Sequence, residues 1–315
     1  MRKLLLKRFC NSEDGQAIAF VAITIVFLLG MTGLVTDGGQ LYLAKNRLQK
    51  AADAAALAGA MELPKDLGAA ESVAKETSEL NGAPNTGVYF EDVKQSIKVI
   101  TNKEVNLSFA RLFGFEKVDV KAAAKVKIEG PATSAARLMP FGLNLDRYLA
   151  EGKKEEDIKP GKVLELLYQE NQAGNFGALD YDGSGASDYG TFIEHGYPGI
   201  INVGDTFKTE PGQMKNQSAK VEQHIDEIVH IPIYNCPSCT KDESTGEVKI
   251  TGKVDIKILG IIAVKITEML QGGNGNGNKI GVRATIEQTS ISGGGSPTQP
   301  DFGTYAFKLV PTDGD

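Results

Sequence analysis

Residues 15–60 read GQAIAFVAITIVFLLGMTGLVTDGGQLYLAKNRLQKAADAAALAGA, and the rest of the chain is interpreted outward from this run. Between Asp14 and Asp37 there are 22 consecutive residues without a charge. As a helix rising ~1.5 Å per residue they cover roughly 33 Å, enough to cross a bilayer. A signal peptide would have a shorter apolar core, a small-residue cleavage site and then a mature chain of unrelated pattern. Here the helical spacing continues through Leu41, Ala44, Leu48, Ala51, Ala55 and Ala58, with no breaker before Pro64. The expectation is an uncleaved transmembrane helix over 15–36 that runs on into an external helix.

Arg2, Lys3, Lys7 and Arg8 precede the span, whereas the first basic residue beyond it is Lys45. The excess of basic residues predicts a cytoplasmic tail over 1–14 and an extracytoplasmic region from Asp37 onward. Of the formal net charge of -6, the tail holds four basic and two acidic residues, so the external part carries the acidity. Binding to nucleic acid through a broad basic surface is therefore disfavoured. The 315 residues, 41% hydrophobic and 23% charged, also exclude a coiled coil throughout, a collagen-like chain and a wholly disordered one.

Beyond the span the helix becomes amphipathic and rich in alanine. Leu48, Ala51, Ala55 and Ala58 form a helix-packing stripe, while Lys45, Arg47, Lys50 and Asp53 occupy the wetter side. Alanine combines high helix propensity with a thin side chain that allows close backbone approach. Two covers fit the stripe: a sheet of the external domain, or another helix from a second copy or another protein. Gly30 and Gly33 fall one residue short of the spacing that brings transmembrane helices together.

The run from Gly15 to Ala60 resembles the N-terminal segment of TadG-like proteins, within the TadE/TadG-like family of the tight-adherence (Tad, or Flp) pilus-assembly systems. The features that carry the resemblance are Gly15-Gln16-Ala17, Asp37, Leu41-Tyr42, Leu48-Gln49 and the stretch Ala52 to Ala60. A looser similarity to extracytoplasmic regions of such proteins extends to residues 174–180 and 231–234. The resemblance implies a single-pass, pilin-like membrane protein, with the lipid bilayer and other pilus-assembly or pilin-like membrane proteins as partners. Processed pilins carry Glu five residues after their glycine cleavage site, but counting from Gly15 that position is Phe20. An uncleaved accessory or minor component is the expectation. Some larger family members carry a von Willebrand A-type domain with an Asp-x-Ser-x-Ser metal site; here the string from Asp182 to Ala186 ends in alanine, and that domain is not assigned.

The fold class expected is α+β. After the helix, Leu67–Leu80 reads as a second helix, QSIKVIT as a strand, and NLSFARLFG as a short helix capped by Asn106. Val118, Val120, Ala122, Ala124, Val126 and Ile128 alternate as in a half-buried strand. Residues 37–129 are expected to form the TadG-like N-terminal helix and a small α+β unit, whose small sheet the resemblance implies to be pilin-like. Residues 130–160 read as a linker, and 161–295 as a second, mainly antiparallel β unit with strands IVHIPIYN, EVKITGKVDIKIL, IIAVKITEM and KIGVRATIEQTSI. GGNGNGNK at 272–279 reads as a hairpin loop. Residues 296–315 form a C-terminal tail whose GTYAFKLV either adds an edge strand or stays loose.

Three constellations bear on chemistry. Asp180, Asp182, Ser184 and Asp188 offer alternating oxygens with a following glycine, as in a calcium loop, but Thr191 stands where the bidentate Glu would close the site. The same residues also suit an Asp/Gly turn held by side-chain hydrogen bonds. Cys236 and Cys239 have CxxC spacing; a short structural disulfide between them is the expectation, with a redox pair and free thiols as the alternatives, and the only other cysteine is Cys10 in the tail. His195, His224 and His230 match no zinc spacing. With no nucleophile elbow or phosphate-binding glycine loop, the chain reads as non-catalytic, without a cofactor unless calcium binds. The competing functional class is an extracytoplasmic adhesin or ligand-binding module stabilised by that calcium.

Overall fold

The computed structural model describes residues 13–93, 95–168, 176–184, 186–210, 217–241, 248–249, 252–271 and 280–312. The tail before Glu13, Gly174, Asn175 and Gly185, and the 272–279 loop lie outside the described residues. The fold is mixed α and β. Helix α1 is one unbroken element, Glu13–Glu62, followed after Pro64 by α2, Leu67–Leu80. Asp66 caps α2 by accepting the Ala69 N–H at 2.7 Å.

Strands β1 (Asn85–Glu91), β2 (Ser96–Asn106) and β3 (Lys117–Pro131) follow, with a 3₁₀ turn, Ala110–Phe113, between the last two. The 130–160 stretch expected to be a linker contains regular structure: β4 (Ser134–Ala136), β5 (Phe141–Asn144) and α3 (Leu145–Ala150). Phe141, Leu143 and Tyr148 are buried there, and Asn144 caps α3 through the Arg147 N–H. Next come β6 (Val163–Tyr168), β7 (Phe176–Asp180), α4 (Ala186–His195), β8 (Ile200–Asn202), β9 (Thr206–Thr209), α5 (Ser218–Glu222) and β10 (Ile228–Asn235). The chain then forms β11 (Thr240–Lys241), β12 (Val248–Lys249), β13 (Asp255–Gln271), β14 (Ile280–Glu287), β15 (Thr289–Ser292) and β16 (Thr304–Val310).

A five-stranded sheet runs β1-β2-β3-β16-β15 and a seven-stranded one β10-β5-β7-β9-β13-β14-β6, with β10 also paired to β13. That extra pairing closes β10, β5, β7, β9 and β13 into a ring. Two features of these sheets differ from the sequence expectation. GTYAFKLV is neither loose nor at an edge: β16 pairs antiparallel with β3 and parallel with β15. DIKIL and IIAVKITEM are one strand, because Gly260 does not break it; the position of its missing Cβ is taken by the Phe302 ring, 2.6 Å from where that atom would stand. Most pairings are antiparallel, but β5–β10 is parallel.

Chain packing separates two units. The first holds the described residues up to Ala55 with 74–88 and 99–124; the second holds 56–73, 89–98 and the chain from Lys125. In the first, Leu48, Ala51, Ala83 and Ala122 form a small core with half-buried Val120 beside it. The second has two larger clusters, one including Phe141, Tyr189, Ile231, Ile262 and Ile286, the other Leu138, Tyr181, Tyr234 and Ile258. The middle of β13 is buried on both faces, as its unbroken apolar run IIAV requires.

Candidate functional site

The first turn past the uncharged run holds a polar contact of three hydrogen bonds within the first unit. Asp37 is 6% exposed, and its carboxylate accepts three consecutive backbone N–H groups: Ser108 at 2.8 Å, Phe109 at 2.9 Å and Ala110 at 2.7 Å. These are the otherwise unpaired donors at the start of the 3₁₀ turn, so a residue of α1 caps an element more than seventy positions away. Asn106 does not serve as the cap; it ends β2, and Phe109 occupies the cap position without a side-chain bond of its own. The Ala110 N–H foremost, then those of Ser108 and Phe109, hold the Asp37 carboxyl below the usual carboxylate range against the opposing effect of burial.

One turn earlier on α1, Gly33 makes room for Phe109. A Cβ at Gly33 would stand 2.6–2.7 Å from Cγ, Cβ and Cδ1 of Phe109, whereas one at Gly30 would meet nothing within 4 Å. Only the absence of a side chain allows the aromatic ring to lie on the helix backbone. Gln40 Nε2 reaches Ser108 Oγ at 3.4 Å.

Further along α1, Lys45 Nζ donates to Lys121 O at 2.8 Å, and Gln49 Nε2 to both Ala123 O and Asp53 Oδ1 at 2.9 Å. Thr101 Oγ1 donates to Leu48 O at 3.1 Å. The four residues of the packing stripe divide: Leu48, Ala51 and Ala55 are buried, while Ala58 is half-buried and Gly59 and Ala60 lie inside instead. A straight helix of 3.6 residues per turn drifts off an alternating three-and-four spacing, which moves the buried position by one residue. Ser290 Oγ donates to Ala60 O at 2.6 Å.

The remaining candidate residues lie in the second unit. Cys236 and Cys239 stand at disulfide distance with Cα atoms 5.3 Å apart; Cys236 is buried and its N–H donates to Asp146 Oδ2 at 2.9 Å. Asp180 ends β7 and accepts the Gly183 N–H at 2.9 Å, and Asp182 accepts the Ser184 N–H at 3.0 Å. The Lys253 ammonium lies 3.5 Å from Asp180 Oδ2 and also pairs with Glu210. Asp188 belongs to α4 and is exposed. Among the described residues no group of three or more His, Cys, Asp or Glu is arranged to hold a metal ion.

The structure does bring the three histidines to one cleft, together with Arg137, Glu194 and Glu227. His224 bonds Glu227 Oε2 through Nδ1 and the Ile193 carbonyl through Nε2, both at 2.7 Å. His230 Nε2 is buried with no partner, and desolvation pulls the ring's pKa down to about 4. Sequence spacing did not reveal this cleft because its histidines come from the end of α4, the turn after α5 and β10.

Comparison with known proteins places the family signal on the same helix. Residues 15–62 match the model of the family Tad, described as "Putative Flp pilus-assembly TadE/G-like". No curated protein and no solved structure matches the chain. The matched segment coincides with the one helix among the described residues that is long and apolar enough to cross a membrane. It contains Asp37, Leu48 and Gln49, each of which binds another element of the first unit.

Proposed function

We propose that this chain is a membrane-anchored accessory or minor pilin-like component of Tad/Flp pilus assembly, without catalytic activity. The observation that carries the proposal is the match of residues 15–62 to the family model over one unbroken helix, Glu13–Glu62. In this reading residues 15–36 sit in the bilayer, where their exposed apolar side chains, Phe20, Ile23 and Phe27 among them, meet lipid or the spans of other assembly proteins. The basic residues of the tail hold the N-terminus in the cytoplasm. The second unit then stands outside the cell's reducing compartment, where Cys236 and Cys239 are joined.

Phe20 at the place of the processed pilins' Glu argues for a subunit that assists assembly from the membrane. The test is to shear fibres from cells and assay this chain in fibre and envelope fractions. Retention in the envelope, with at most a small share in fibres, is expected. A chain present in sheared fibres at the level of their main subunit would overturn the accessory reading.

A further inference from the structure

We propose that residues 107–116 form a second, interfacial membrane anchor, with Leu112, Phe113 and Phe115 set into the acyl chains of the leaflet on the outer side of the span. The inference rests on the reading of residues 15–36 as a transmembrane helix.

Three independent observations support it. The first is depth. Phe109 lies on Gly33, four residues before Asp37, which is about 6 Å back along the helix axis into the uncharged run. The groove beneath the loop is lined by Val26, Leu29, Gly30 and Leu34 on the helix and by Leu112 and Phe113 on the loop. Val26 lies about 16 Å before Asp37 along the axis. A bilayer that covers those helix residues must also cover the loop seated against them.

The second is the loop's outer surface. Leu112 is 80% exposed, Phe113 81% and Phe115 67%, in a run of ten residues. Three large apolar side chains turned outward together are unusual for a water-facing loop, and the groove they share is continuous with the lipid-facing side of α1. The segment's two charged residues, Arg111 and Glu116, pair with each other at 3.8 Å, and just outside it Lys117 pairs with Glu104 at 2.9 Å, all four exposed. That arrangement suits apolar side chains in the acyl region and charged ends at the headgroups.

The third is the treatment of the backbone. In hydrocarbon, polar backbone groups must find partners within the protein. Here the N–H groups of Ser108, Phe109 and Ala110 go to Asp37, and those of Leu107, Leu112, Gly114 and Phe115 go to the carbonyls of Glu116, Phe109, Arg111 and Ala110. The same bonds occupy the Asp37 carboxylate, which would otherwise be an uncompensated charge at the membrane boundary.

The chain contains no tryptophan, so single-tryptophan variants of the full-length protein report each place separately. Phe113→Trp probes the loop, Ile25→Trp the span, and Leu80→Trp a water-facing position that is 81% exposed. Each is reconstituted into vesicles of phosphatidylcholine with a minority of phosphatidylglycerol, made with and without acyl-chain bromination. Blue-shifted emission and strong bromolipid quenching are expected for Phe113→Trp and Ile25→Trp, with neither for Leu80→Trp. Quenching of Ile25→Trp but water-like, unquenched emission from Phe113→Trp would overturn the loop anchor and leave the span standing. Blue-shifted but unquenched Phe113→Trp would also overturn it, by showing that protein covers the loop. Loss of quenching at both positions would remove the span and the loop anchor together.

Discussion

The Asp37 carboxylate accepts the Ala110 N–H at 2.7 Å across 73 positions of sequence. The contact ties the point where α1 leaves its uncharged run to the turn between β2 and β3. Because Ser108 and Phe109 donate to the same carboxylate, the orientation of that turn on the helix is set by one side chain.

Asp37→Asn retains the side-chain volume and one acceptor oxygen but replaces the other by a donor NH₂. Phe109 and Ala110 both bond Oδ2, so at least one of the three N–H groups loses its acceptor whichever way the amide turns. Hydrogen exchange of the full chain in micelles should quicken over 107–116 and stay unchanged in the rest of α1. Unaltered protection of the turn would contradict the role given to Asp37. Since the native carboxyl is held below the ordinary range, its contribution is complete at neutral pH and is lost only as pH falls through that lowered value.

Gly33 and Gly30 should respond differently to the same change. A methyl group at Gly33 collides with the Phe109 ring, and overpacking of this kind typically costs ~1–3 kcal/mol. Gly30 has open space, and alanine there improves helix propensity by up to ~1 kcal/mol. Thermal unfolding in micelles should therefore fall for Gly33→Ala and hold or rise for Gly30→Ala. Equal behaviour would mean that Phe109 does not rest on the helix.

Ala55 is fully buried on α1 and Lys50 is exposed. Ala55→Glu adds both volume and an unpaired charge to a closed contact, with a cost of at least ~1–3 kcal/mol from overpacking alone. Lys50→Glu should shift stability by no more than ~0.5 kcal/mol, as surface changes generally do. Lower melting of Ala55→Glu together with lost fibres places the stripe inside the fold; normal melting with lost fibres would instead place it at a contact between proteins.

Buried His230 contributes a pH dependence to the second unit. Its pKa is about 4 in the fold against 6.5 unfolded, so between those values the unfolded chain binds more protons. Stability is then level above pH 6.5 and declines as pH falls towards 4, by up to ~3 kcal/mol from this group. Arg137, Glu194, His195, His224 and Glu227 line the same cleft. Denaturant midpoints measured from pH 7.5 to 4 should show the decline, and His230→Gln should flatten it. An unchanged slope in the variant would remove His230 as its source.

Local patterns showed much of the fold in the sequence. Pro64 marks the end of α1 two residues after Glu62, and the helix Leu67–Leu80 and the alternation from Val118 to Ile128 are legible as written. What escaped depends on distant partners. Asn106 has the chemistry of a cap and the right position, but the carboxylate that reaches the turn belongs to Asp37. GTYAFKLV has the length of an edge strand, and only pairing with both β3 and β15 makes it internal. The charged run GKKEEDIKPG at 152–161, after the break at Gly130-Pro131, makes the whole 130–160 stretch read as a linker and hides the short apolar segments around Phe141, Leu143 and Tyr148 that enter the core. The histidine cleft joins three segments whose spacing obeys no motif.

The central claim is that this chain serves pilus assembly from the membrane. Its most direct test is a count of surface fibres per cell by electron microscopy in the source cell, in a strain lacking the gene and in that strain carrying the wild-type chain. Loss of fibres on deletion and their return with the wild-type chain is the predicted result. Undiminished fibres in the deletion strain would contradict it.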